Sequence, residues 1–125
     1  MDIEINAENA YKTLYDYDAR ELQDRINENR EISIVKDVVL IDVRTPEEYQ
    51  HEHLPCSLNI DHEDALRSIS TLSRKWAGKK VIAICRSGGR SMLVVESLRQ
   101  HGTEALSVRG GMMEWSRLKL PHWRP

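Results

Sequence analysis

The 125-residue sequence has little of what marks membrane, disulfide-stapled or nucleic-acid-binding chains. No window approaches the roughly 20 apolar residues that a membrane-spanning helix needs. Only two cysteines occur, Cys56 and Cys85, so no disulfide framework is expected, and each sulfur must be explained as packing, ligand or nucleophile. A formal charge of -2 gives no general attraction for nucleic acid or for an anionic membrane, so neither is expected as a partner and any anion site must be local. The stretch Met1-Asp2-Ile3-Glu4-Ile5-Asn6 lacks the positive flank and apolar run of a secretory signal, which makes a cytoplasmic address the default expectation. There is no internal repeat, low-complexity stretch or linker.

What is present is an ordinary globular balance, 40% hydrophobic and 30% charged residues, in a length that suits one domain with one core. Val38-Val39-Leu40-Ile41 and Val81-Ile82-Ala83-Ile84 are short, continuous, β-branched runs, the pattern of strands buried on both faces of a parallel sheet. Helix patterns surround them. Asp18 with Glu21 forms a capping-box pattern ahead of Ala19, Leu22 and Ile26 on one face. Thr45-Pro46-Glu47-Glu48 supplies an N-cap, a proline at the first helical position and an acidic third residue. Asp61 caps a helix with the stripe Ala65, Leu66, Ile69 and Leu72, ending before Gly78. A further helix runs from about Ser91 to His101, stopped by Gly102. Ala105 to Val108 reads as a last strand, and Gly110-Gly111 as a turn into a helix over Met112 to Arg117. Strands alternating with helices predict an α/β domain with a mostly parallel sheet, where ligands sit at the carboxyl ends of the strands. The first dozen residues and the tail from Pro121 look peripheral.

Cys85 stands at such a strand end and opens the loop Cys85-Arg86-Ser87-Gly88-Gly89-Arg90. Gly88 and Gly89 permit backbone conformations that turn successive N–H groups inward around an anion. The following helix presents its positive end, and Arg86 and Arg90 lie close in sequence. All three features favour thiolate over thiol at Cys85. The bland alternative is a small core residue followed by a turn.

Together with other blocks, this loop gives the chain a resemblance to the rhodanese family from about Thr13 to Pro121. Leu40 to Tyr49, His53-Leu54-Pro55 with Asn59-Ile60, Val81 to Ser91, and Arg109-Gly110-Gly111 with Trp115 occur in the family's order. The resemblance implies a five-stranded parallel sheet flanked by helices, with residues 1–12 as an N-terminal extension, 13–121 as the domain and 122–125 as a tail. It implies Cys85 as a sulfur-carrying nucleophile, with Arg86, Ser87, Gly88, Gly89, Arg90 and Ser91 as its cradle. Asp42 and Arg44 match a pair that helps organise the family's site, although a strand-end salt bridge is the simpler reading for Asp42. Where the family usually has glycine, this chain has Glu52 and Cys56, which implies a different backbone or a modified rim there. Cys56 is then a second, resolving thiol or, more simply, a surface or packing thiol.

The expected chemistry is double displacement: a small anionic donor such as thiosulfate loads Cys85, and a thiol, cyanide or a sulfur-relay protein unloads it, with no metal or organic cofactor. His51 and His53 have alternate spacing but no accompanying ligand set, so no metal site is expected. Two rivals stand beside this reading. A cysteine-dependent phosphatase or arsenate reductase also uses a thiolate in an anion loop, but with five residues between Cys and Arg, whereas four intervene here and Ser91 stands where that arginine would be. Asp42, Glu47 and Glu48 would be its candidate general acids. A non-catalytic docking module of the same fold would have no need of thiol, glycines and arginines together. Trp115, Arg117, Trp123 and Arg124 would serve such docking, Trp115 more simply as a core anchor.

Overall fold

The computed structural model describes residues 2–125; of the extension expected at the N-terminus, Met1 lies outside the described residues. In chain order the elements are β1 (Glu4–Ile5), α1 (Ala7–Leu14), α2 (Ala19–Asn27), β2 (Val38–Asp42), α3 (Pro46–His51), β3 (Leu58–Asn59), α4 (His62–Arg67), α5 (Ile69–Lys75), β4 (Lys80–Ile84), α6 (Gly89–Gln100), β5 (Glu104–Val108) and α7 (Gly111–Arg117). The strands form one sheet in the order β1-β5-β4-β2-β3, and every pairing is parallel. This is the α/β architecture that the alternation of strand and helix patterns predicts. The run from Val81 to Ile84 is continuous rather than alternating because β4 lies at the centre of the sheet and all four side chains are fully buried.

Alternate residues of the strands feed two cores. On one face Leu40, Ile82, Ile84 and Val108 pack with Ala10 and Leu14 of α1, Leu22 of α2 and Trp115 of α7. On the other, Ile41, Val43, Val81 and Ala83 pack with Ala65 of α4, Ile69 and Leu72 of α5, and Val94, Val95 and Leu98 of α6. Cys85 belongs to this second core, so the helix that begins beside it is anchored through its own buried stripe.

Three expectations are corrected. The first dozen residues are not peripheral: β1 pairs with β5, and Ala7, Ala10 and Tyr11 are buried. A two-residue strand carries no periodicity of its own; its structure comes from pairing to Ser107 and Val108. The single helix expected after Asp61 is two, because Ser68 leaves the helical region (φ -111°, ψ 15°) and its N–H donates to the Ala65 carbonyl in a tighter closure; Leu66 turns outward, 37% exposed. Nor is the end of the chain a loose tail. His53 and Trp123 exchange backbone hydrogen bonds of 3.0 and 2.8 Å, His122 is buried, and the Trp115 indole N–H donates to the Pro121 carbonyl at 3.0 Å.

A candidate active site around Cys85

Cys85 directly follows β4 at the carboxyl end of the sheet, and its side chain is only 1% exposed. Two N–H groups and a hydroxyl lie close to the sulfur. The Gly88 N–H lies 3.1 Å from Sγ, the Ser91 N–H 3.4 Å, and the Ser91 hydroxyl 3.3 Å. Gly88 reaches this position with φ +112°, a conformation that glycine adopts without the cost a Cβ would impose. Burial pushes the Cys85 thiol up, but hydrogen bonds from the Ser91 side chain and from the backbone of Ser91, Gly88 and Ser87 outweigh it and hold the thiol below its ordinary value.

α6 begins at Gly89, two residues earlier than the expected start near Ser91. Arg90 therefore sits in the first helical turn rather than closing a loop, and its guanidinium does not turn to the sulfur. Nη1 and Nη2 donate to the two carboxylate oxygens of Glu48 at 2.7 and 3.0 Å. Glu48 is held in place from its own side as well, because its carboxylate accepts from the Thr45 N–H in the capping box of α3. The Arg90 guanidinium is the largest reason that the Glu48 carboxyl is lowered to about 2. Arg90 acts on Cys85 only as a longer-range positive charge. Arg86 and Ser87 are exposed, and Gly89 has neither a positive φ nor any atom within 4 Å of where a Cβ would stand.

Asp42 and Arg44 form a buried pair at the end of β2, beside the end of β4. Arg44 Nη2 donates to Asp42 Oδ2 at 2.8 Å and to the Glu52 carbonyl at 2.6 Å, while the Arg44 N–H donates to Asp42 Oδ1 at 3.0 Å. Asn59 adds donors to the carbonyls of both residues. The pair ties β2, β3 and the end of α3 together and makes no hydrogen bond to the sulfur, which favours the salt-bridge reading for Asp42. Arg44 also lines, with Glu47, Glu52, Arg86, Met112 and Met113, a cleft of about 570 Å³ alongside the loop.

Several contributors are not readable from the Cys85 loop itself. The Met112 N–H donates to the Cys85 carbonyl at 2.8 Å and the Met113 N–H to the Arg86 carbonyl at 3.0 Å, so the start of α7 docks directly on the loop. Gly111 makes that approach possible: at φ +54°, a Cβ there would lie 2.3 Å from the Cys85 carbonyl oxygen. The Gly110-Gly111 pair is its signal in the sequence, and by itself that pair reads only as a turn. Ser107, buried in β5, lies 2.7 Å from the Ser91 hydroxyl; a lone hydroxyl in a buried strand is its signal.

At the two positions where the resemblance implies glycine, the backbone differs in kind. Glu52 is extended (φ -164°), so no glycine is needed. Cys56 keeps a left-handed φ of +65° despite its Cβ. Its thiol donates to the Ile32 carbonyl at 3.2 Å, and desolvation pushes that thiol up. His53 is stacked between Tyr49 and Trp123, with centroids 4.0 and 4.8 Å away, and His51 is exposed. Trp115 is fully buried, as a core anchor would be. Among the described residues no three His, Cys, Asp or Glu side chains gather as a metal set, and no helix is long and apolar enough to cross a membrane. Of the carboxylates weighed as general acids, Asp42 and Glu48 are both held in ion pairs with arginine.

What this arrangement can do chemically is stabilise a thiolate at Cys85 in a nest of neutral donors. Residues 18–118 match the family described as "Rhodanese-like domain". A protein named "Sulfurtransferase" from Allochromatium vinosum is 33% identical over 95 residues, covering 74% of this chain and 85% of that protein. The "Adenylyltransferase and sulfurtransferase uba4" of Ogataea parapolymorpha is 36% identical over 109 residues, 86% of this chain, and this chain spans only 27% of its length. Among solved structures, a rhodanese-related protein from Thermoplasma volcanium superposes with a TM-score of 0.64 at 28% identity, covering 96% of each chain.

Proposed function

The chain belongs to the rhodanese-like domain family, and on that premise we propose that it is a sulfurtransferase carrying sulfane sulfur as a persulfide on Cys85. The observation that carries this reading is the buried Sγ with two N–H groups and one hydroxyl within 3.4 Å. In the first half-reaction the thiolate attacks the outer sulfur of a donor such as thiosulfate. The S–S bond of the donor breaks, sulfite leaves with its electron pair, and the charge comes to rest on the terminal sulfur of the persulfide. In the second half-reaction a thiolate or cyanide attacks that terminal sulfur, and the Cys85 thiolate is regenerated.

Arg86, Ser87, Gly88, Gly89, Arg90 and Ser91 form the cradle in this proposal, with unequal parts. Gly88 and Ser91 bind the inner sulfur, Ser87 adds its N–H, and Arg86 faces incoming anions from the rim of the cleft. Arg90 acts through its bond to Glu48, fixing α3 against α6, and Asp42 with Arg44 supports the strand ends. Relatives in which this domain is one part of a longer chain make a protein partner, as donor or acceptor, the second form of the same reading. A docking module without turnover remains the alternative, and a phosphatase is disfavoured by a loop one residue short of the phosphate-binding spacing and by the commitment of two of its three candidate acids, Asp42 and Glu48, to arginines.

The test is intact mass of wild-type, Cys85→Ser and Cys56→Ser proteins after thiosulfate, with thiocyanate release on adding cyanide. One added sulfur that persists in Cys56→Ser and disappears in Cys85→Ser, with turnover, is the expected result. No adduct from thiosulfate or from a small persulfide donor would overturn the proposal.

A further inference from the structure

Behind the Cys85 sulfur lies a second hydroxyl that touches nothing a substrate could reach. Ser107 is the fourth residue of β5, paired in register with Ala83 of β4 and Glu4 of β1, and both Ser107 and Ser91 are completely buried. Their hydroxyl oxygens are 2.7 Å apart. Ser91 Oγ is also 3.3 Å from Cys85 Sγ and 3.1 Å from the Gly88 carbonyl. Among the described residues no other group hydrogen-bonds to the Ser107 hydroxyl.

Counting protons assigns the directions. Each hydroxyl has one proton to donate and two lone pairs to accept. If Ser91 donated to Ser107, the Ser107 proton would be buried without an acceptor, which is unfavourable. Ser107 therefore donates to Ser91, and the single Ser91 proton is left to choose between the Gly88 carbonyl and the sulfur. With a neutral thiol, the S–H donates to Ser91 Oγ and Ser91 donates to Gly88, so every group is satisfied. With a thiolate, the Ser91 proton rotates onto Sγ, while Ser107 continues to donate from behind and polarises that bond.

We propose that Ser107 is a positioning residue for the sulfur chemistry: its hydroxyl fixes Ser91 as a donor whose proton follows the charge on Cys85. The inference rests on Cys85 being the working sulfur but not on which donor loads it. The charged groups around the sulfur do not compete for this role. From α6 comes Arg90, bound to Glu48 of α3; from β2 come Asp42 and Arg44, bound to each other; and Arg86 of the loop is exposed.

The experiment measures alkylation of Cys85 by iodoacetamide against pH, read on the Cys85 peptide by mass spectrometry so that Cys56 does not contribute. A direct charge-assisted hydrogen bond lost in Ser91→Ala is expected to raise the midpoint by about 1 unit, roughly tenfold less thiolate at neutral pH. Ser107→Ala is expected to raise it by about 0.5 unit, roughly threefold. In the Ser91→Ala background Ser107→Ala adds nothing, which a merely structural role would not produce. Ser107→Thr and Ser107→Val form a second pair matched in shape, and only the valine, without a hydroxyl, is expected to shift the midpoint. An unchanged midpoint in folded Ser107→Ala, an equal shift in the Ser91→Ala background, or equal behaviour of threonine and valine would each overturn the inference. Because alkylation needs no sulfur donor, sulfur loading without the Ser107 shift refutes the relay alone, and the shift without loading refutes only the sulfurtransferase reading.

Discussion

Replacing Gly111 with alanine tests whether the Cys85 loop is held from behind by α7. The new Cβ would lie 2.3 Å from the Cys85 carbonyl oxygen and 2.6 Å from that of Arg86, and the backbone there has φ +54°. A comfortable C···O contact is about 3.3 Å, so loop and helix must separate by about 1 Å. That separation weakens both hydrogen bonds by which Met112 and Met113 hold the loop, each worth about 1 kcal/mol. Left-handed backbone adds about 1 kcal/mol for a residue with a Cβ. The expected loss is about 3 kcal/mol, within the 5–15 kcal/mol typical of a folded domain, so the protein stays folded with a displaced sulfur. Gly78→Ala isolates the backbone part, since Gly78 also has a positive φ (+79°) but nothing within 4 Å of its Cβ direction, and should cost about 1 kcal/mol. Gly89→Ala, with neither feature, should change stability by less than about 0.5 kcal/mol. Urea unfolding gives the three costs, and the alkylation rate of Cys85 reports the displacement. A Gly111→Ala protein no less stable than Gly78→Ala, with wild-type reactivity at Cys85, would refute the reasoning.

The ion pairs make two further predictions. Asp42→Asn leaves the Arg44 guanidinium buried without its counter-charge and should cost about 3–5 kcal/mol in urea unfolding, whereas removing both charges, as in Asp42→Asn with Arg44→Met, should cost less than the single change. Glu48 has its carboxyl lowered to about 2 from an ordinary 4.5, so its pairing with Arg90 stabilises the fold fully above pH 4.5 and is lost as the pH falls toward 2. Both side chains are over a quarter exposed, so screening limits this to about 1 kcal/mol, seen as a shallower acid slope of stability in Glu48→Gln.

What was legible in the sequence follows from where the stabilising interactions come from. β2 and β4 announce themselves because a strand buried on both faces must be apolar throughout, and α3 because its cap, proline and acid are all local. β1 was illegible because two residues form a strand only when β5 is already there to pair with them. The placement of Cys85 at a strand end was legible, since topology puts it there. The partner of Arg90 was not: Glu48 is 42 residues away in sequence, and proximity along the chain suggested the sulfur instead. Gly111 showed itself as a glycine but not as a contact, because the atom that requires it is the Cys85 carbonyl across the site. Ser107 was hidden for the same reason, its partner lying on a different element.

The use of neutral donors rather than an ion pair at Sγ has a consequence for the proposed cycle. In the thiolate the charge sits on Sγ; in the persulfide it moves outward by one S–S bond, about 2 Å. The Gly88 and Ser91 donors stay with the inner sulfur, because they belong to the start of a helix packed into the core. They stabilise the discharged state more than the loaded one and so favour release of sulfur to an acceptor. A guanidinium fixed on the terminal sulfur would do the opposite and make the persulfide a resting state. Arg90 cannot take that place, because both ends of its fork are occupied by Glu48, itself fixed by the capping box of α3. The bidentate pair thus keeps a strong cation near enough to favour anions in general, yet away from the atom whose charge must change in every turnover.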